Sequence, residues 1–299
     1  MRAVPAFRVA LVAALAAWTF ADAARPLLAQ AGLRERTIFV SALTSRGEPV
    51  DGLGPSDFVV TEDGRRREIL RVSPASDPID IALLVDNSAA SPQALPRFRN
   101  AVRQFVNQMQ VGNQIALIAL AERPTIFVDY TSSQERLNQG IGRLNDVIGS
   151  GMTLLDALVD VSAGLRRREA PRAVIVVVMT NGIEFSNRSG REVVAAMTAA
   201  GAALHAFVVG HLSGATTEDR ERAIVLDSGT SGTGGQYVTL LADMGIERAL
   251  ETLARELSSQ YKVVYGRPES LVPPDKIEVE SARRGVTMRG TPARGQAGA

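Results

Sequence analysis

The chain has 299 residues, 45% hydrophobic and 22% charged, a balance that suits a soluble globular protein and excludes long disorder away from the ends. Its net charge is +1, and removing residues 1–23 takes away Arg2, Arg8 and Asp22 and leaves 31 charges of each sign, so the electrostatics give no reason to expect nucleic acid. Cysteine is absent, which excludes disulfides, a cysteine-held zinc and a lipid anchor on cysteine.

The first stretch reads as an export signal. Arg2 and Arg8 precede an apolar run at residues 9–20, and Ala21-Asp22-Ala23 is a small-residue cleavage site. The run falls short of the roughly 20 apolar residues that span a bilayer. No later run approaches that length, so the mature chain is expected to have no membrane span and to work in the periplasm or outside the cell. An uncleaved anchor is the alternative. Residues 24–36 read as a polar linker. Residues 37–43, 58–62 and 67–72 are strand-like, with Asp63-Gly64 as a hairpin turn between the last two, and form a β module at 37–75.

After a Pro-bounded break at 74–78 the rhythm becomes strand, helix, strand, helix. Residues 79–85 and 173–179 are nearly continuous apolar runs, as in parallel strands covered on both faces. Leu95, Phe98, Val102, Phe105, Val106 and Met109 recur at helical spacing, as do Leu154, Leu158, Val161 and Leu165. Further strands are predicted at 114–120, 125–130, 203–209, 236–239 and 261–265, with helices around Leu137–Leu144, 190–200 and 246–259. Residues 229–235 (GTSGTGG) read as a flexible loop. The alternation predicts an α/β domain over 79–265, a doubly wound and mostly parallel sheet. Strands at 276–280 and 285–289 belong to a segment, 268–290, that packs with the N-terminal module into a small flanking β unit. Residues 291–299, rich in Gly, Ala and Pro, read as a disordered tail.

In open α/β sheets, ligands bind at the carboxyl ends of the strands where strand order reverses. Three loops qualify: 86–90 (DNSAA), 149–153 (GSGMT) and 180–182 (TNG), each offering small oxygen-bearing side chains beside a buried strand. Hard cations such as Mg²⁺ take such oxygens.

These segments, as IALLVDNSAAS, GSGMTLLDAL and VIVVVMTNG, resemble a von Willebrand factor type A domain. That family's metal-ion-dependent adhesion site uses Asp-x-Ser-x-Ser, a Thr from a second loop and an Asp from a third, and an acidic group of a partner protein completes the shell. The resemblance implies Asp86, Ser88, Thr153 and Asn181 as the metal positions for Mg²⁺ or Mn²⁺, with Asn87, Ser91 and Asp156 on the surrounding binding face. Two positions depart from the pattern. Ala90 stands where the second serine belongs, with Ser91 one residue late, and Asn181 replaces the aspartate. The site loses a hydroxyl and a negative charge, which lowers affinity for a divalent ion. The other role for Asp86, Ser88 and Asn181 is to cap helices and fix loops. The flanks VSALTSRGEPVDGLGPSDFVVTEDGRRREI and KIEVESARRGVTMRG are similar to those of exported type A-domain proteins common in acidobacteria.

Enzymatic readings fail on inventory. The histidines are His205, inside an apolar strand, and His211, and no G-x-S-x-G elbow or H-E-x-x-H motif accompanies them. GTSGTGG lacks the lysine and the following helix of a phosphate loop. The expectation is a binding protein, not an enzyme, acting on an unknown protein partner as an adhesion or interaction module, or as a metal-independent scaffold of an envelope or secreted assembly.

Overall fold

The computed structural model describes residues 33–293, except Ser213, Ala215, 269–271, Pro273 and Asp275. The expected signal segment at 1–23, most of the expected linker and residues 294–299 of the expected tail lie outside the described residues. Two six-stranded sheets make up the architecture.

The first sheet has the order β6-β5-β4-β7-β8-β9. Its strands are β4 (Ile79–Val85), β5 (Gln114–Ala119), β6 (Thr125–Thr131), β7 (Arg172–Thr180), β8 (Ala202–Val209) and β9 (Gln236–Leu240). All neighbours are parallel except β5 and β6. Every residue of β4 and β7 is buried, because helices cover both faces. On one face α1 (Leu95–Met109) and α6 (Ile246–Ser258) pack Phe98, Phe105, Leu250 and Leu257 against Ile81, Leu83 and Val176. On the other, α3 (Leu154–Arg168) and α4 (Gly190–Ala200) cover Leu84, Ile175 and Val177. Helix α2 (Gln134–Gly142) closes the β6 end. This is the doubly wound type A-like fold with an added β unit. Among the described residues no helix is long and apolar enough to cross a membrane.

One helix escaped the sequence reading. α5 (Thr217–Ile224) starts at Thr216, whose hydroxyl caps Asp219 N at 3.0 Å, and carries Glu218 and Asp219 in its first turn, where the helix dipole favours acids. It runs through a π turn (Val225–Gly229) into a last turn at Thr230–Gly232. Its buried members include Asp219 and Arg222, so no apolar stripe announced it.

The second sheet is antiparallel, in the order β11-β2-β3-β10-β1-β12. Its strands are β1 (Leu33–Thr44), β2 (Phe58–Glu62), β3 (Arg65–Pro74), β10 (Tyr261–Pro268), β11 (Ile277–Ser281) and β12 (Val286–Pro292). Three boundaries differ from expectation. β1 begins at Leu33, inside the supposed linker, because Leu33–Val40 pair with β10 and Glu35 is gripped by both Nη of Arg71 at 2.8 and 2.6 Å. β12 runs to Pro292, beyond the expected start of the tail, held by the pairs Ile38↔Pro292 and Phe39↔Thr291. β10 was assigned to the α/β unit but lies between β3 and β1. Its alternation explains this: Tyr261, Val263 and Tyr265 enter the module's core with Ile38, Val40 and Phe58, while Lys262 turns out to Asp77 at 2.9 Å.

The two sheets are stitched together. Arg172, at the start of β7, donates to Asp77 O at 3.0 Å, Leu257 O at 2.8 Å and Gln260 Oε1 at 2.6 Å, and stacks over Phe39 of β1. Burial lowers its pKa to about 10, so it stays charged at neutral pH. Gln260 donates onward to Ser41 Oγ at 3.0 Å. The glycine-rich segment 229–235 is a second seam and not a free loop. Thr291 Oγ1 donates to Thr233 O at 2.9 Å, and a β-carbon on Gly235 would stand 1.8 Å from Leu204 O. These glycines allow backbones to touch.

Candidate functional site

The sheet order reverses at β4, which has β5 on one side and β7 on the other, and the carboxyl ends of β4 and β7 are the place where α/β sheets of this kind bind ligands. Asp86 follows β4 and is fully buried. Its Oδ1 accepts from Ser88 N at 2.8 Å, and its Oδ2 from Thr180 N at 3.0 Å and Thr180 Oγ1 at 2.5 Å. Both oxygens are therefore engaged by the chain itself, tying the end of β4 to the end of β7. Thr180 was not singled out from sequence, since a threonine ending an apolar strand is ordinary.

Ser88 is buried, and its Oγ faces Ala90 N at 3.4 Å. Ala90 is exposed on the same rim: a β-carbon on Gly182 would stand 2.9 Å from the Ala90 methyl and 3.3 Å from Ser88 Oγ. Thr153 is buried, and its hydroxyl donates to Leu120 O at 2.9 Å, beyond β5. Asn181 is exposed, with Nδ2 donating to His211 O at 3.2 Å. The structure thus gathers Asp86, Ser88, Thr180 and Gly182, while the Thr153 hydroxyl and the Asn181 amide are bonded to Leu120 O and His211 O.

The residues expected on the binding face divide. Asn87 is buried, because Nδ2 donates to Asn145 O at 2.9 Å and Oδ1 accepts Ala121 N at 3.0 Å; it fastens three loops. Ser91 is buried too, with its hydroxyl donating to Ser88 O at 2.8 Å and its carbonyl accepting Leu95 N, so it builds the entry to α1. Neither is presented to a partner. Asp156 is half-buried and paired with Arg188 at 2.8 Å.

What supports the rim is a buried polar set beneath the loop after β7. Arg222 is fully buried and donates to Gly182 O at 2.6 Å and to Asp219 Oδ1 at 2.8 Å. Glu184 Oε1 accepts Ser186 N at 3.1 Å, and Ser186 Oγ accepts Asp156 N at 3.0 Å, so this loop caps α3 from outside the helix. Burial pushes the Glu184 carboxyl above its ordinary value, against the pull of bonds from Ser186 and Leu155 and of the Arg222 charge. The loop then turns Ile183 and Phe185 outward, both 58% exposed, and the Phe185 ring lies where a β-carbon on Gly151 would sit. Ile148 is 91% exposed on the 145–150 loop, whose main chain is tied to Asn87 and Ala89.

The donor set does not fit a resident divalent ion. A hard cation needs several free oxygens and compensating charge. Here the carboxylate has internal partners on both oxygens, Ala90 offers a methyl, and Asn181 is neutral. Among the described residues, no three His, Asp or Glu side chains gather to hold a metal.

His205 is buried on β8 with neither ring nitrogen hydrogen-bonded. Burial lowers its pKa to about 4, opposed by the Glu256 charge and aided by Arg289.

Comparison with known proteins agrees with this geometry. Residues 81–183 match the family model of the von Willebrand factor type A domain. A UPF0353 protein of Mycolicibacterium gilvum is 29% identical over 111 residues, 36% of this chain and 33% of that relative. Its counterpart in Mycolicibacterium vanbaalenii is 28% identical over the same share. The chain thus spans about a third of these relatives' length. Among solved structures, proximal thread matrix protein 1 from the mussel byssus superposes with a TM-score of 0.52 at 15% identity, covering 69% of this chain and 50% of that one. A second structure of that protein, with a zinc-occupied MIDAS motif, gives 0.51 at 16% identity over the same shares. Likeness at this identity speaks for the fold. Residues 81–183, and the sheet they help to build, match a von Willebrand factor type A domain.

Proposed function

We propose that this chain is an exported protein-binding module, not an enzyme, and that it engages its partner on the β4/β7 rim without a metal ion. The observation that carries the reading is Ala90. Its methyl stands on the rim beside Ser88 and Gly182, where the family pattern places a ligating hydroxyl. With Asn181 neutral and Asp86 bonded internally, the rim offers apolar surface in place of an open cation site: Ala89, Ala90, Ile148, Ile183 and Phe185 reach solvent. Burying such side chains against a partner is worth about 2 kcal/mol for each large one, and exposed large apolar side chains grouped on one set of loops favour an interaction site. The mussel byssus protein with its zinc-occupied motif is the contrasting use of the same fold. Export rests on the residue 1–23 pattern.

Retention of Asp86, Ser88 and Thr153 favours a second reading, adhesion through a weakly held Mg²⁺ or Mn²⁺. A photo-crosslinking residue at Phe185, introduced in the native host, separates the two. Crosslinks to a discrete protein that persist in chelator and vanish with Ile183→Asp are expected. Crosslinks abolished by chelator select the metal-dependent form, and crosslinks no different from those at exposed Glu251 on α6 contradict both.

A further inference from the structure

The loop after β7 carries a covalent chemistry of its own. Asn181-Gly182 is the sole Asn-Gly step in the chain. An asparagine is most open to attack by the following main-chain nitrogen when that residue is glycine, because no β-carbon hinders the approach and the backbone turns freely. The other exposed asparagines lack this partner or this freedom. Asn145 precedes Asp146 and Asn187 precedes Arg188, while Asn100 and Asn107 are fixed within α1.

The fold leaves the reacting atoms available. Asn181 is exposed and lies outside helix and strand, its side chain held by one bond from Nδ2 to His211 O at 3.2 Å. Gly182 is anchored by its other atoms. Its carbonyl accepts Arg222 Nη1 at 2.6 Å, and its α-carbon abuts the rim, where a β-carbon would stand 2.9 Å from the Ala90 methyl. Its N–H donates no hydrogen bond among the described residues. The attacking nitrogen is therefore the open atom of this residue, and packing against Ala90 requires the glycine that makes it reactive.

We propose that Asn181 is a site of spontaneous deamidation that converts the β4/β7 rim from a neutral to an anionic form. Gly182 N gives its proton to solvent and bonds to Asn181 Cγ. The Cγ–Nδ2 bond breaks, ammonia leaves, and a five-membered succinimide closes. Water then opens the ring at one of its two carbonyls. Cleavage between Cγ and Gly182 N gives aspartate, and cleavage at the main-chain carbonyl gives isoaspartate. No oxidant or enzyme is needed, and the new acid releases its proton to solvent. Either product sets a carboxylate against His211 O, acceptor facing acceptor, so the bond between the β7 and β8 loops is lost. Isoaspartate also inserts a main-chain carbon ahead of Gly182 and shifts it against Ala90 and Ser88. Aspartate returns an acid to the position where the family pattern carries one. The step depends on this chain alone and not on how the rim meets a partner.

The test incubates the freshly purified, folded chain in mildly alkaline and mildly acidic buffer and follows amide loss at each asparagine by peptide mass spectrometry. Loss at Asn181 is expected to be at least tenfold faster than at exposed Asn187, and faster in the alkaline buffer. The Ala90→Gly/Gly182→Ala variant, which makes room for the added methyl and is checked for an unchanged melting temperature, should lose the Asn181 amide at least tenfold more slowly. In the aged chain, amide exchange at Gly210, whose N–H is bonded to Leu240 O beside this contact, should rise. An Asn181 amide retained in the folded chain but lost in the denatured chain, or a loss no faster than at Asn187, would overturn the assignment. Unchanged exchange at Gly210 after deamidation would overturn its link to the β8 loop.

Discussion

Asp86 is a staple. A fully buried carboxylate with three hydrogen bonds from its own chain holds two strand ends together, and removing it orphans the main-chain N–H of Thr180 and of Ser88. Asp86→Ala is expected to destabilise the fold by about 3 kcal/mol, and Thr180→Val by about 1–2 kcal/mol, measured by denaturant unfolding. His205 gives a pH signature. Its folded value, about 4, lies below the ordinary 6.5, so the unfolded chain takes up the proton first as pH falls. Stability should drop between pH 6.5 and 4 by up to about 3 kcal/mol. Glu184, whose folded value is raised, works in the opposite sense above the ordinary glutamate value, so the wild type must be compared with His205→Leu, in which the histidine slope disappears. At this scale the sequence was partly legible. Ala90 and Asn181 could be recognised as departures by position alone. The inward roles of Asn87 and Ser91 could not, because a polar side chain in a loop does not reveal whether its partner is water or a backbone group on a distant loop.

The elements that were hardest to foresee are those whose partners are remote in sequence. β4 and β7 announce themselves by continuous apolar residues, since both faces are covered. β10 carries the alternation of a one-sided strand, yet its place between β3 and β1 depends on pairings about 190 or more residues away. The 229–235 segment looked flexible because glycine serves both freedom and close approach, and only the packed neighbour tells which. Here it is approach. Gly234 has φ +80° and a β-carbon there would stand 2.3 Å from Gly290 O, while Gly235 would meet Leu204 O. Gly235→Ala should therefore lower stability by about 2–4 kcal/mol, seen as a clear drop in melting temperature, whereas a truly flexible loop would tolerate it.

For the whole molecule, the type A sheet and the β unit are joined by β10, the glycine seam and the Arg172 hub, so the β unit is part of the fold's support. Arg172→Met should cost about 2–4 kcal/mol and raise amide exchange in β1 and β10 before it does so in β4 and β7. The central claim is that the β4/β7 rim binds without a metal. Titration calorimetry of Mg²⁺ and Mn²⁺ into the wild type and into Ala90→Ser/Asn181→Asp tests it most directly. The account predicts no binding heat below millimolar ion in the wild type and measurable binding once the missing hydroxyl and carboxylate are restored. Sub-millimolar binding by the wild type, lost in Asp86→Ala, would contradict it.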